Sequence, residues 1–357
     1  MKLIPHSRPW LTEADTSAVM ATLQSEMIAQ GEQTRAFEDA LSLWVGIEDG
    51  GVAVGRGAAA LVLALLALRV GVGDEVVMPT YVCSSVFEAV LSTGATPVLC
   101  DVGCSWVVTA ENVERYLTGR TKVLLVPHMY GIFAHVDSFR QFGIPIIEDC
   151  AQAIADKGQR QVAGDIGVFS FHPTKCLTTG EGGMAVSAKK DLVSAMRVIR
   201  DGSQNSDKAR FFSPLSDIAA ALGLSQLARY SQALHRRLTL ALKYKAALEQ
   251  VLGDSFGDEA VAAYAQSMFF RFPISVPGGL DAYQESFAQR HIIIRRGVDR
   301  LLHRCTGLPD QKFEMGVKLF NTTVSLPIYP ALTCEEQAYC IETAVEIFSK
   351  QGQVSFK

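Results

Sequence analysis

Between Val52 and Ala188 short apolar runs alternate with stretches of helix length, and this alternation leaves the chain few folds to choose from. The candidate strands are Glu75–Met78, Pro97–Asp101, Lys122–Pro127, Ile144–Asp149, Gly167–Phe171 and Gly183–Ser187. Strands joined by helix-length crossovers run in the same direction, because a tight hairpin cannot connect parallel neighbours. The predicted fold class is therefore α/β, a mainly parallel, doubly wound sheet with helices on both faces. Ligands in such sheets sit beyond the carboxyl ends of the strands, so the residues closing each run are the first place to look for a site.

Outside that region the pattern changes. Leu11 to Val45 reads as helices with a connecting turn, and Asp217 to Leu252 as one long helix or two. Beyond them Met268–Val276 reads as a strand, Ala282–Gln289 as a helix and Cys334–Lys350 as a final amphipathic helix. The expected division is a large domain over residues 1–225 and a smaller α+β domain over residues 226–357, a normal arrangement for a chain of 357 residues.

Charge and cysteine usage remove several function classes. The 33 basic and 37 acidic residues give a formal charge of −4 with no block of one sign, so no nucleic-acid partner and no anionic membrane surface is expected. The most apolar stretch, Ala58 to Val70, contains Arg69 and falls short of the roughly 20 residues that cross a bilayer. No apolar leader follows Met1, and a cytoplasmic location is expected. The eight cysteines are scattered through apolar segments, which reads as reduced thiols. Cys100 and Cys104 lack a second ligand pair at zinc spacing, and no metal site is expected.

Asp149 closes the run IPIIED, which puts its carboxylate at the end of a buried strand. Lys175 follows the strand Gly167–Phe171 and precedes a loop rich in Gly and Thr, where desolvation lowers an amine's pKa and frees it to attack an aldehyde. Pyridoxal 5′-phosphate (PLP) chemistry requires such a pair: a lysine to hold the cofactor carbon and an acid to keep the pyridine nitrogen protonated. Taken singly, an Asp after a strand is often a helix cap and a loop Lys a solvated group. The turn Gly55-Arg56-Gly57-Ala58 precedes a helix, whose first amides and dipole favour an anion.

The strings EDCAQA (Glu148–Ala153), GDIGVFSFHPTK (Gly164–Lys175) and TTGEGG (Thr178–Gly183) resemble the DegT–StrS family of PLP-dependent sugar aminotransferases. Further similar strings run from IPHSRPWLTEAD near the amino end to LFNTTVSLPIYPALT (Leu319–Thr333), so the resemblance spans nearly the whole chain. It implies a fold-type I homodimer with active sites at the subunit boundary. By position, Lys175 matches the family's Schiff-base lysine, Asp149 the acid paired with the pyridinium, and Gln152 the glutamine near the phenolic oxygen. Ser170 matches a phosphate ligand, Gly57 and Ala58 lie in the phosphate turn, and His172 belongs to the pocket. The implied reaction transfers an amino group from a donor such as glutamate to a nucleotide-linked keto-sugar, in lipopolysaccharide or antibiotic biosynthesis. The alternatives are a cyclic ketone acceptor or a catalytically weak PLP-binding regulatory homologue.

Three positions depart from the family pattern. The usual Ser-Gly-Thr of the phosphate turn is Arg56-Gly57-Ala58, so a threonine hydroxyl is absent and the Arg56 guanidinium is the expected replacement. The segment that usually sends the partner subunit an asparagine reads Phe211 to Asp217. Cys83 stands where an aromatic commonly stacks on the cofactor ring, leaving Tyr81 and His128 as candidate covers. Arg271, Arg295, Arg296 and Arg304 are candidates for meeting a diphosphate, against the more usual reading of arginines in a charged segment as solvated or paired.

Overall fold

The computed structural model describes residues 2–202, 214–253 and 267–352. Helices α1 (Glu13–Gln24) and α2 (Glu32–Trp44) lead into β1 (Gly51–Val54) and α3 (Gly57–Ala67). Next come β2 (Glu75–Pro79), α4 (Ser84–Ser92), β3 (Thr96–Cys100), α5 (Ala110–Glu114) and β4 (Thr121–Pro127). Then follow β5 (Ile146–Asp149), β6 (Ile166–Ser170), β7 (Gly183–Val186), α6 (Lys190–Asp201), α7 (Asp217–Ala228) and α8 (Tyr230–Leu252). The remaining elements are β8 (Phe272–Ser275), α9 (Gly279–Gln289), α10 (Leu302–Cys305), α11 (Glu314–Thr322), β9 (Thr323–Leu326) and α12 (Cys334–Gly352).

Seven strands form one sheet in the order β1-β7-β6-β5-β4-β2-β3, in which β7 alone runs against its neighbours. Strands β2 to β7 lie within two residues of the runs read from the sequence. Successive side chains of a strand point to opposite faces, and here they enter two different cores. Val52, Val54, Val168 and Ala185 pack with Leu61, Leu63 and Leu65 of α3, whereas Ala53, Phe169, Met184 and Val186 pack with Phe37 and Leu41 of α2 and Leu227 of α7. The sheet is thus covered on both faces, as the alternation required.

Strand β1, too short to stand out in the sequence, lies at the sheet edge, where an unpaired backbone invites foreign strands. Its outward groups are taken: the Ala53 N–H donates to Glu38 Oε1 at 2.7 Å, and Arg200 Nη1 of α6 donates to the Ala53 carbonyl at 3.0 Å. Glu38 and Arg200 are themselves a buried ion pair.

A third core gathers Leu240 and Tyr244 of α8, Phe272 and Ile274 of β8, Val324 and Leu326 of β9 and Phe348 of α12. Strands β8 and β9 are antiparallel. Between them the chain returns to the main core through Leu301, Leu302, Phe313 and Phe320. His303 fixes that return, with Nδ1 2.7 Å from Thr80 Oγ1 and its ring stacked on Phe313 at 4.2 Å. Among the described residues no helix is long and apolar enough to cross a membrane.

Candidate active site

Strands β4, β5 and β6 are parallel neighbours whose carboxyl ends meet at one edge, with Pro127 opposite Asp149 and Asp149 opposite Val168. Asp149 ends β5 there and is buried. Its Oδ1 accepts the Ala151 N–H at 2.9 Å, and among the described residues no donor reaches its other oxygen. Burial raises the Asp149 pKa, opposed by that hydrogen bond and by the charges of Lys175 and His128.

Lys175 follows β6 on a loop that its own threonines tie down. The Thr178 hydroxyl and the Thr179 N–H both donate to the Phe171 carbonyl, at 2.9 and 3.0 Å, and Lys175 N–H donates to the His172 carbonyl at 2.8 Å. The side chain is half-buried, with Nζ 5.4 Å from the centroid of the Phe270 ring. Desolvation pulls its pKa below the ordinary lysine range; Arg271 adds to this and Asp149 opposes it. The structure therefore brings a weakened base and a buried carboxylate together at adjacent strand ends.

The glycine turn is pressed onto β6. A Cβ at Gly57 would stand 2.6 Å from Ser170 Cβ, and one at Gly183 would stand 2.5 Å from the carbonyl group of Arg56. Only glycine at both positions lets the first turn of α3 reach Ser170. Among the described residues no side chain caps that turn, and its first amides are left without a partner. Ala58 is half-buried in the same turn, while Arg56 is exposed and, among the described residues, forms no ion pair. Amides, hydroxyl and dipole together suit an anion.

Gln152 is oriented by the Tyr130 N–H, which donates to its Oε1 at 2.9 Å, while its amide nitrogen donates one hydrogen to Met129 Sδ at 3.8 Å and keeps a second. Tyr130 itself is left-handed, at φ 59, a conformation a bulky side chain adopts only when its surroundings impose it. Its hydroxyl meets Tyr81 Oη at 2.9 Å, and a Cβ on Gly297 would fall 2.0 Å from it. His172 is exposed and bonded through Nδ1 to Thr174 Oγ1 at 2.9 Å. Cys83 is exposed at the start of α4, where its sulfur accepts from the Ser85 hydroxyl at 3.2 Å. Of the segment Phe211 to Asp217, residues 211–213 lie outside the described residues, and Asp217 caps α2 in its own chain by accepting the Gly31 and Thr34 N–H groups at 2.7 and 2.9 Å.

Tyr81 and His128, the candidate ring covers, are both fully buried. His128 Nδ1 accepts the Ala134 N–H at 3.1 Å, so its Nε2 carries the hydrogen and donates to Glu148 at 2.8 Å. The heteroatoms of His128, Glu148 and Cys150 lie within 4.8 Å of one another, but both imidazole nitrogens are used in this network. The signal for this pair was the double acid of IPIIED: one carboxylate goes to the site and the other braces the strand end. Sequence reasoning also passed over Phe270, whose ring carries Lys175 Nζ on one approach and Arg271 Cζ, at 5.3 Å, on another. Buried Arg237 holds this segment, with Nη1 donating to the Phe269, Phe270 and Ile328 carbonyls at 3.1, 3.0 and 3.0 Å.

A sequence model of the DegT/DnrJ/EryC1/StrS aminotransferase family matches residues 9–345. The chain belongs to that family. The fold agrees with those of solved aminotransferases. Spr1654 from Streptococcus pneumoniae, described as a sugar aminotransferase and seen in a PMP form, is 25% identical over 99% of this chain and 100% of its own, with a TM-score of 0.87. The aminotransferase TlmJ from Streptoalloteichus hindustanus is 25% identical over 98% and 100%, with a TM-score of 0.88. DesV from S. venezuelae is 26% identical over 94% of both chains, with a TM-score of 0.82. The mixed sheet with β7 reversed is therefore the fold-type I arrangement of this aminotransferase family.

Proposed function

We propose that the chain is a PLP-dependent aminotransferase that moves an amino group from a donor such as glutamate to a nucleotide-linked keto-sugar, working as a homodimer with Lys175 as the cofactor-bearing residue. The observation that carries this reading is the pair at the strand ends, a lysine made less basic by burial beside a buried carboxylate with one oxygen open. The surrounding residues fit the cofactor. The uncapped first turn of α3, tight against Ser170 because Gly57 and Gly183 lack side chains, would hold the phosphate, with Arg56 beside it. Asp149 would hold the pyridine nitrogen and the Gln152 amide nitrogen the phenolic oxygen.

When bound, PLP supplies an electron sink for the pair left behind as the donor's Cα proton departs. Lys175 Nζ, unprotonated over a wider pH range than an ordinary lysine, accepts that proton and returns one to the acceptor's carbon in the second half-reaction. Asp149 would pair with a cationic ring nitrogen, whose opposite charge would counter the burial that raises its pKa. The Thr178 and Thr179 ties keep the lysine loop in place while the amine changes partners.

Borohydride reduction of the PLP-loaded protein, followed by peptide mapping, tests the assignment. The cofactor should be found covalently fixed on Lys175 and nowhere in the Lys175→Ala protein; a fixed cofactor in that variant would sink the assignment. Glutamate added to the loaded wild-type protein should then change its visible absorbance, and a panel of nucleotide-linked keto-sugars should reverse the change.

A further inference from the structure

Tyr130 follows β4 with a left-handed backbone and uses its polar groups in three directions. Its N–H donates to Gln152 Oε1 at 2.9 Å, and its carbonyl accepts the Ser267 hydroxyl and the Arg271 N–H, each at 3.4 Å. Its buried hydroxyl meets Tyr81 Oη at 2.9 Å and faces the Gly297 N–H. These partners come from distant parts of the chain. Gln152 and Tyr81 lie just beyond the carboxyl ends of β5 and β2, whereas Ser267, Arg271 and Gly297 follow α8.

A tyrosine keeps a left-handed backbone only where its surroundings over-determine it. Here Trp106 packs edge-on against the Tyr130 ring at 5.6 Å, and Tyr81 in turn faces the Thr323 hydroxyl, which accepts the Trp106 Nε1 hydrogen at 2.9 Å. The main chain has no slack: a Cβ at Gly131 would stand 2.7 Å from Met268 Sδ and 2.9 Å from the Phe270 nitrogen. Burial raises the pKa of both tyrosines, and the charges facing Tyr81, Arg271 and the Asp281-paired Arg296, oppose that rise without reversing it, so both hydroxyls keep their protons. The two ends of a carboxamide have nearly the same shape, so hydrogen bonds decide which end faces a ligand. The Tyr130 N–H claims the oxygen end of Gln152 and turns the nitrogen end the other way.

We infer that Tyr130 is a positioning residue of the reaction: its hydroxyl pair with Tyr81 locks the left-handed backbone whose N–H aims the Gln152 amide nitrogen at the cofactor's phenolic oxygen. The inference rests on the cofactor reading of Gln152 and Lys175 and adds to it the residues that set Gln152's aim. It also ties that aim to the segment carrying Phe270, whose ring faces Lys175 Nζ, because the Tyr130 carbonyl binds that same segment.

A donor at the phenolic oxygen favours its anionic form, and with it the loss of the proton from the nitrogen that joins Lys175 to the cofactor. Removing the donor should therefore raise the pH midpoint at which the visible absorbance of PLP-loaded protein changes. Gln152→Leu should raise it by about half a pH unit or more, about threefold in proton affinity. Tyr130→Phe and Tyr81→Phe, which keep the rings and delete one hydroxyl each, should raise it in the same direction by no more than that. Neither should move it further in the Gln152→Leu protein, because the effect passes through Gln152. Tyr244→Phe removes a buried hydroxyl that donates to the Pro327 carbonyl at 2.9 Å in the third core, and should leave the midpoint unchanged. A midpoint moved by Gln152→Leu but by neither tyrosine variant would overturn the positioning role, as would tyrosine shifts that persist in full without Gln152. Borohydride capture on the same samples separates the claims: capture kept on Lys175 with a midpoint that ignores Gln152→Leu defeats the phenolic-oxygen assignment and the inference built on it, while capture lost in wild type defeats the functional reading.

Discussion

Asp149 and Lys175 each oppose the shift that burial imposes on the other. The carboxylate supports a proton on the lysine, so replacing it has a readable sign. In Asp149→Asn the Lys175 pKa should fall further, while transamination should drop at least about 100-fold because an amide cannot balance a cationic ring nitrogen. A pH profile of borohydride capture reads the first effect and single-turnover absorbance the second; an unchanged turnover rate would remove Asp149 from the mechanism. Both positions stood out in the sequence because each closes or follows an apolar run, while the roles proposed for them came from the family resemblance. Tyr130, Phe270 and Arg237 were not, because their contributions depend on a left-handed backbone, a shared ring face and three carbonyls brought together from distant segments.

Strand β1 shows how an element too short to announce itself is made secure. Its four residues are wholly buried, yet at the sheet edge the backbone of Ala53 is satisfied by side chains of α2 and α6 rather than by another strand. Removing Glu38 leaves the buried Ala53 N–H without its acceptor while Arg200 keeps its pairing with Asp201, so Glu38→Ala should cost about 1–3 kcal/mol, read as a lower urea midpoint. A loss below about 1 kcal/mol would mean the clamp is dispensable. Strand β9 was hidden for a related reason: Thr323-Val324-Ser325-Leu326 carries half its length as hydroxyls, and these are buried by bonds to Trp106 at 2.9 Å and His6 at 3.0 Å. Periodicity finds apolar faces, and it misses polar ones that tertiary partners satisfy.

Across the whole molecule the acid limb of stability should follow carboxylates that act as internal caps. Burial would raise the Asp217 pKa, but hydrogen bonds from Thr34, Gln33 and Gly31 lower it overall, and Asp15 is lowered likewise by Arg229, Ser225 and Thr12 against the same burial. A depressed folded-state pKa gives stability that is full above the ordinary carboxylate value of about 4 and fades as pH falls through the lowered one. Buried Asp149 and Glu38, whose pKa values are raised, act in the opposite sense and soften the decline. Asp217→Asn should therefore lower stability at pH 7 more than at pH 3, measured by urea unfolding at both; an equal loss at the two would show that the charge is idle. The Phe270 ring, on a backbone segment held by Arg237, makes two events on its faces reciprocal. Arg271 weakens proton binding at Lys175 across that ring, so an anion that neutralises Arg271 must strengthen it, and a protonated lysine must in turn hold the anion more tightly.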